Sequence, residues 1–263
     1  MSILEKIVEK KRRRVEEQKN FLSFEEIKEK VRALPQRADF IFFSKIKRTT
    51  SEPIKIIAEI KKASPLKGLL KEYNVEQMAD VYVSAGADAI SVITEEDFFS
   101  GKTDYLAKIK AKHPDIPVLR KDFIFDEYQI YESKLLGADA ILLIADILSD
   151  DECSFLYQLS KSLMMDVLFE IHDEEGLKKA VHAGVDIIGI NNRDLKTLQI
   201  DLSTTFKLRE LIPKNKVVVS ESGISSVEEV RKLLKIGVDA ILVGTSIVLS
   251  DNPQEQIRKL KYF

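Results

Sequence analysis

Charged side chains end several apolar, β-branched runs of this sequence. Glu59 and Lys61 end the run PIKIIAEIKK, and Lys121 follows the apolar part of DIPVLRKDF. Because successive side chains of a strand point to opposite faces, Glu59 and Lys61 share one face. Later runs end in similar polar groups, which are Glu170, Asn191, Arg193, Glu221 and Ser222. Lysines and carboxylates are the residue types that general acid–base chemistry uses.

Ionised groups at the ends of buried strands are costly unless they are paired or used. One interpretation is a purely structural network of ion pairs, for instance Lys61 with Glu221. The concentration of charge at one end of successive strands favours chemistry instead. A lysine that is partly desolvated, or that lies near another cation, has its pKa moved toward neutrality and can serve as a general acid.

Two glycine-containing segments indicate a site for an anion. They are SESGISS at residues 220–226 and VGTSIV at residues 243–248. Gly223 and Gly244 permit close backbone approach, and Thr245 begins a predicted short helix. In barrels of alternating strands and helices, loops after the seventh and eighth strands commonly bind phosphate. The segments therefore predict a small phosphate ester as the substrate.

A repeated segment reveals the elements that must position these groups. Each copy ends a helix at Gly, turns through Asp and continues as an apolar run of strand length. The copies are AGADAISVI (85–93), LGADAILLI (136–144), AGVDIIGI (183–190) and IGVDAILVG (236–244). Four further strands are predicted at 53–62, 115–123, 165–173 and 215–223. Eight strands that alternate with amphipathic helices predict the α/β class and a closed (β/α)8 TIM barrel, with an open doubly wound sheet as the lesser alternative.

The first part of the chain is not required by a barrel. We predict one domain over residues 1–263, in which 1–50 form a helical extension and 53–263 form the barrel. One face of the first helix is apolar, through Leu4, Ile7, Val8 and Val15. This extension would either cover the edge of the barrel or act as a lid near the site.

Composition narrows the classes of partner. The net charge of −2 gives no general attraction for nucleic acid or for an anionic membrane. No run approaches the roughly 18 apolar residues of a membrane helix, and the charged N-terminus lacks the apolar stretch of a secretory signal. Cys153 is the only cysteine, so we expect a reducing compartment, a cytoplasmic protein and an inert thiol.

The sequence lacks the common motifs of nucleotide-binding and histidine metal sites. Neither G-x-x-x-x-G-K-[ST] nor G-x-G-x-x-G occurs, which argues against a nucleotide cofactor. The three histidines, His113, His172 and His182, lack the spacing of a metal site, and we expect His172 to be structural. These motifs therefore argue against a nucleotide cofactor and against a metal held by the histidines.

Several motifs together resemble one enzyme family. They are AEIKKASPLKG (58–68), TEEDFFSG (94–101), VLRKDFIFDEYQI (118–130), LFEIHDEEGL (168–177), IGINNRDLKT (188–197), VVVSESGISS (217–226) and AILVGTSIV (240–248). In this order they resemble indole-3-glycerol phosphate synthase. The resemblance implies that 1-(2-carboxyphenylamino)-1-deoxyribulose 5-phosphate is converted to indole-3-glycerol phosphate, CO₂ and water in tryptophan biosynthesis, without a cofactor.

The resemblance also implies roles for individual residues. Lys121 matches the general acid, Glu170 the carboxylate that stabilises positive charge and acts as a base, and Lys61 the contact to the substrate carboxylate. The remaining polar shell would be Glu59, Asn191, Glu221 and Ser222. Substrate contacts would come from Ser64 and Arg193, a phosphate cradle from Gly223, Gly244 and Thr245, and an anthranilate pocket from Phe99, Phe123 and Leu142.

Two positions depart from the family pattern, and two rival functions use the same residues. Asn192 occupies a variable position of GINNRD, and Asp146 follows the fourth strand, where it would perturb Lys121. One rival is an aldolase in which Lys61 or Lys121 forms a Schiff base. The other is a non-catalytic phosphate-binding barrel, which would have no need for the acid–base set. We expect a monomer or a weak homodimer.

Overall fold

Eight parallel strands form a closed barrel in the structure, a computed structural model that describes residues 2–35, 39–194 and 197–263. Each strand pairs with its neighbour along the chain, and the last pairs with the first. The predicted TIM barrel is therefore confirmed, and every predicted run contains a strand. The strands are β1 (Lys55–Ile60), β2 (Ala89–Ile93), β3 (Val118–Lys121), β4 (Ala140–Ile144), β5 (Asp166–Ile171), β6 (Ile187–Asn191), β7 (Val217–Glu221) and β8 (Ala240–Val243).

Helices precede the barrel and follow each of its strands. The extension contains α1 (Ile3–Phe21), α2 (Phe24–Arg32) and α3 (Ile41–Ile46). The barrel helices are α4 (Val75–Ser84), α5 (Thr103–Lys112), α6 (Glu127–Leu135), α7 (Asp150–Ser162), α8 (Glu174–His182), α9 (Ser203–Leu211), α10 (Val227–Lys235), α11 (Thr245–Val248) and α12 (Pro253–Lys261). Among the helices described, none has both the length and the sustained apolar character needed to cross a lipid bilayer.

Three of the four aspartates of the repeated segment tie adjacent strands of the barrel together. The carboxylate of Asp88 accepts a hydrogen bond from the backbone N–H of Ile56 at 2.8 Å. Asp139 binds the N–H of Val118 in the same way, at 2.8 Å. The carboxylate of Asp239 accepts a hydrogen bond from the backbone N–H of Val218, in the neighbouring strand β7, at 2.9 Å. The repeat therefore encodes a tie between adjacent strands as well as the turn that the sequence predicts.

The N-terminal end of the barrel is closed by helix α3. Its side chains Phe42 and Ile46 are fully buried against the apolar interior of the strands. The backbone N–H of Phe43 donates to the carboxylate of Asp166, at the start of β5, at 2.8 Å. Because this end is plugged, an accessible cavity forms at the other end of the barrel, where the strand carboxyl ends meet.

Helix α1 lies beside that cavity. Of its predicted apolar face, Ile7 and Val15 are buried, and Leu4 and Val8 are half-buried. Leu4 and Ile7 line the cavity, together with Ile3. The extension thus packs on the barrel and also reaches the site, and its role as a lid stays a prediction.

Candidate active site

The carboxyl ends of the strands open into a cavity of about 580 Å³. All of the residues predicted for the site line it. They are Lys121, Glu170, Lys61, Glu59, Asn191, Glu221, Ser222, Ser64, Arg193, Gly223, Gly244, Thr245, Phe99, Phe123 and Leu142. Cavities at this end of a TIM barrel are where catalytic groups from different strands converge.

Lys121 lies between two carboxylates. Its Nζ atom is 3.0 Å from Oε2 of Glu170 and 3.3 Å from Oε2 of Glu221. Lys61 pairs with Glu59 instead, at 2.5 Å. The pairing of Lys61 with Glu221 suggested above is therefore wrong, because Glu221 faces β3 rather than β1. The two lysines occupy separate ion pairs.

The charge state of Lys121 also differs from the one expected. Burial alone would lower its pKa, but the carboxylates of Glu170, Glu221 and Glu59 outweigh burial and raise the pKa above its ordinary value. The predicted movement of this lysine toward neutrality is wrong, since its neighbours are anions rather than another cation. Lys121 is consequently a charged ammonium that can donate hydrogen bonds to a molecule in the cavity.

The pKa of Glu221 is raised as well, which for a carboxyl group favours the neutral form. Burial raises its pKa, the ammonium of Lys121 partly offsets this, and the nearby Glu170 carboxylate adds to the rise, which brings the pKa to about 8. Within the described residues, its Oε1 atom has no hydrogen-bond partner. Glu221 can therefore hold a proton at neutral pH.

Two glycines provide room for carboxyl groups of the site. A Cβ atom at Gly189, in the middle of β6, would collide with Oε1 of Glu221. A Cβ atom at Gly244 would collide in the same way with Oε1 of Glu59. Gly244 was predicted only as part of a phosphate cradle, and Gly189 was not singled out. Its signal in the sequence is a small residue inside the otherwise bulky run IIGIN.

Two successive asparagines hold the end of β6 and its neighbours. Nδ2 of Asn191 donates to Oε1 of Glu170 at 3.0 Å, which orients the carboxylate that faces Lys121. Nδ2 of Asn192 donates to the backbone carbonyls of Glu221 and Ser222 at 2.9 and 3.0 Å. Asn192 is 2% exposed. Its description as a variable position misses this anchoring contact, which joins residues far apart in sequence.

The loop after β7 has an unusual backbone. Ser222 and Gly223 both have left-handed φ angles, 67° and 80°. A Cβ atom at Gly223 would lie 2.5 Å from Cγ2 of Ile200, so only glycine fits there. Helix α11 begins at Thr245, directly after Gly244, as predicted. These glycine loops bring backbone close to the cavity.

An aromatic wall comes from a different arc of the barrel. Phe99 follows β2 and Phe123 follows β3, and their ring centroids are 6.3 Å apart. The carboxylate of Glu95 accepts hydrogen bonds from the backbone N–H groups of Phe98 and Phe99 at 2.8 and 3.0 Å. Glu95 lines the cavity and was missed in the sequence, where it is one acid among several in TEED.

Asp146 and His172 form a pair of their own at this end of the barrel. Nδ1 of His172 is 2.9 Å from Oδ2 of Asp146. This hydrogen bond to Asp146 raises the pKa of His172. The carboxylates that raise the pKa of Lys121 are those of Glu170, Glu221 and Glu59. Asp146 therefore acts on the pKa of His172 and not, as expected, on that of Lys121.

A known protein family matches nearly the whole chain. The family model described as indole-3-glycerol phosphate synthase matches residues 4–260. This chain belongs to that family. The synthase of Thermoanaerobacter pseudethanolicus is 49% identical over 247 residues, which cover 94% of this chain and 92% of that one. The synthase of Acetivibrio thermocellus is 44% identical over 260 residues, which cover 98% and 99%.

Solved structures show the same fold at low sequence identity. A 3-hexulose-6-phosphate synthase from Salmonella typhimurium has a TM-score of 0.64 at 18% identity, covering 79% of this chain and 96% of its own. A thiamine phosphate pyrophosphorylase from Pyrococcus furiosus has a TM-score of 0.59 at 16% identity, covering 80% and 95%. These likenesses concern the barrel alone. Family membership confirms the predicted family and its activity, that of a decarboxylating lyase in tryptophan biosynthesis, over the two rival functions.

Proposed function

We propose that Lys121 is the general acid with which this cavity converts 1-(2-carboxyphenylamino)-1-deoxyribulose 5-phosphate to indole-3-glycerol phosphate, CO₂ and water. The observation that carries the proposal is the position of its ammonium, 3.0 Å from Glu170 and 3.3 Å from Glu221 inside the cavity. A charged donor placed in advance stabilises negative charge as it develops on an oxygen.

The substrate would span the cavity between its two contrasting sides. Its phosphate would lie against the glycine loops after β7 and β8, at Gly223, Gly244 and Thr245. Its aromatic ring would lie against the wall after β2 and β3, which Leu142 extends from β4. Lys61, Ser64 and Arg193 would contact its anionic groups. In a chain with a net charge of −2, such local cations are needed to attract two anionic groups.

Ring closure is the first chemical step in this proposal. The ring carbon that bears the carboxylate attacks the C2 carbonyl carbon, and Lys121 gives a proton to the carbonyl oxygen. Positive charge that develops on the anilino nitrogen is stabilised by the Glu170 carboxylate, which Asn191 orients. Holding both reacting carbons in one orientation removes an entropic cost of about 7–11 kcal/mol in the best cases.

Loss of CO₂ and water completes the reaction. Cleavage of the bond to the carboxylate leaves its electron pair in the ring and restores aromaticity. The hydroxyl formed at C2 then leaves as water once it is protonated, and a proton is lost from C1, for which Glu170 is the base. The side chain of Lys61 also lines the cavity and can supply the proton to the leaving group.

The experiment that tests this function uses substrate labelled with ¹³C in the carboxylate. Wild-type protein is expected to release one labelled CO₂ for each indole-3-glycerol phosphate, which is followed by indole fluorescence. Borohydride added during turnover should trap no covalent adduct, because no Schiff base forms. An adduct on Lys61 or Lys121, or a folded protein that binds phosphate esters without turnover, would contradict the proposal.

We also propose that the protein works in the cytoplasm on this small phosphorylated substrate, as a monomer or weak homodimer and without nucleic acid or membrane partners. The weak net charge and the single cysteine support this. Cys153 is buried in α7, where burial raises the pKa of its thiol to about 11. Sedimentation at micromolar concentration tests the oligomeric state, and a stable tetramer would contradict it.

A further inference from the structure

Helix α1 supplies a buried lysine next to the cavity. The side chain of Lys11 is 3% exposed, although the helix lies on the outside of the barrel. Its Nζ atom lies 2.9 Å from Oδ1 of Asp122 and 2.7 Å from Oε2 of Glu96. One ammonium therefore joins three separate parts of the chain. Glu96 lies 85 residues and Asp122 lies 111 residues after Lys11 in the sequence.

The two acids belong to the segments that carry the aromatic wall. Glu96 lies in the loop after β2, three residues before Phe99. Asp122 lies directly between Lys121 and Phe123 at the end of β3. Lys11 thus bridges the two segments from which the rings of Phe99 and Phe123 project into the cavity.

The Asp122 end of this bridge is rigid. Its Oδ2 atom accepts hydrogen bonds from Thr94 at 2.6 Å and from the fully buried guanidinium of Arg120 at 3.3 Å. Its Oδ1 atom accepts from the backbone N–H of Phe123 at 2.9 Å. These hydrogen bonds fix the position of the Asp122 carboxylate, and this carboxylate in turn determines where the ammonium of Lys11 lies.

The other end of the Lys11 bridge is Glu96, which belongs to the loop after β2. Three consecutive acids there, Glu95, Glu96 and Asp97, point to three different partners. Glu95 accepts from backbone N–H groups of its own loop, Glu96 pairs with Lys11, and Asp97 pairs with Arg14 of α1. The loop is therefore fixed from the inside by Glu95 and from the outside by helix α1.

A buried ion pair such as that of Lys11 is weak evidence for added stability. Removing an ammonium from water is costly, and a well-packed apolar side chain commonly stabilises a fold as well as or better than a buried ion pair. Ile7 and Val15 already attach the same helix through apolar contacts. A directional ion pair adds a fixed separation between its partners, which an apolar contact does not.

We propose that Lys11 is a positioning residue for the aromatic wall. It holds the loop after β2 and the end of β3 at the separation that forms the pocket for the aromatic ring of the substrate. The proposal rests on the proposed function for the identity of that ring. Within the described part of the chain, the polar contacts of Lys11 are with Glu96 and Asp122 and not with the phosphate loops after β7 and β8, so those loops should keep their shape without it.

The test compares Lys11→Met with Lys6→Met, a matched loss of charge at an exposed position of the same helix. Calorimetry measures the binding of two separate probes, 2-aminobenzoate and inorganic phosphate. In Lys11→Met we expect Kd for 2-aminobenzoate to rise about tenfold and Kd for phosphate to stay within about twofold. Lys6→Met should change neither. Equal weakening of both probes in Lys11→Met would show a general structural role, and unchanged Kd values would show none; either result overturns the proposal.

These binding measurements do not depend on turnover. If the wild type binds both probes but turns over no substrate, the proposed function fails while the positioning role of Lys11 is still decided. If Lys11→Met does not fold, Glu96→Gln weakens the same bridge at its more exposed end. It should then raise Kd for 2-aminobenzoate by a smaller factor with phosphate binding unchanged, and a loss of phosphate binding would contradict the proposal.

Discussion

The ammonium of Lys121 and the carboxylate of Glu170 form an ion pair of 3.0 Å across the mouth of the barrel. The pair connects the end of β3 with the end of β5, and Asn191 at the end of β6 holds the second oxygen of Glu170. The fold therefore sets the distance between the proposed acid and the proposed base.

The hydrogen bond from Asn191 to Glu170 gives a kinetic prediction. In Asn191→Ala the carboxylate loses a donor, and a hydrogen bond to a charged group contributes about 1.5–3 kcal/mol. We expect kcat to fall roughly ten- to hundredfold with KM little changed, because the contact matters most as charge develops. Steady-state kinetics measures both constants. A raised KM at unchanged kcat would place Asn191 in substrate binding instead.

The raised pKa of Glu221 predicts a pH dependence of stability. Its pKa rises from an ordinary value of 4.5 to about 8, so the folded protein binds this proton more tightly than the unfolded chain. The resulting contribution to stability is fully present below pH 4.5 and is lost as the pH rises through 8.

Glu221→Gln, which resembles the protonated carboxyl, should remove that contribution. As the pH rises from 5 to 9, the free energy of unfolding of the wild type should therefore fall relative to that of Glu221→Gln. Urea unfolding at several pH values measures it. Glu228→Gln, at an exposed position of α10, is the control and should show no such trend. A pH-independent difference for Glu221→Gln would contradict the assignment.

Gly189 and Glu221 should be coupled energetically. Gly189→Ala places a methyl group against the Glu221 carboxyl, and we expect a loss of roughly 1–3 kcal/mol of stability from overpacking. In the Glu221→Ala background the severe contact is removed and the tight contact with Cδ1 of Leu168, at 3.1 Å, is left, so the same substitution should cost less. A double-mutant cycle of unfolding free energies measures this coupling. Additive effects would show that the two side chains do not compete for the same volume.

Much of the fold follows from local signals in the sequence. Each of the four copies of the Gly-Ala/Val-Asp segment marks the end of a helix and the start of a strand within a few residues. Together with the four further apolar runs that alternate with them, they predict the eight strands of a barrel. The alternation of side chains likewise places Glu59 and Lys61 on one face. These inferences succeed because neighbouring residues alone determine them.

Ion pairs between side chains of distant strands cannot be predicted from local sequence. Lys121 and Glu170 are 49 residues apart, and nothing local indicates that Glu221 joins them rather than Lys61. The error in the pKa of Lys121 has the same origin, because its direction depends on which charges surround it in space. Lys11 lies in a strongly charged helix, where its burial becomes visible only once Asp122 and Glu96 are placed.

The activity of Lys121→Ala tests the central claim most directly. Turnover of 1-(2-carboxyphenylamino)-1-deoxyribulose 5-phosphate is followed by indole fluorescence, and circular dichroism establishes that the variant is folded. If Lys121 is the general acid, kcat should fall by about 10²–10⁴-fold, with binding of inorganic phosphate retained. A folded Lys121→Ala variant with a kcat close to the wild-type value would contradict the account.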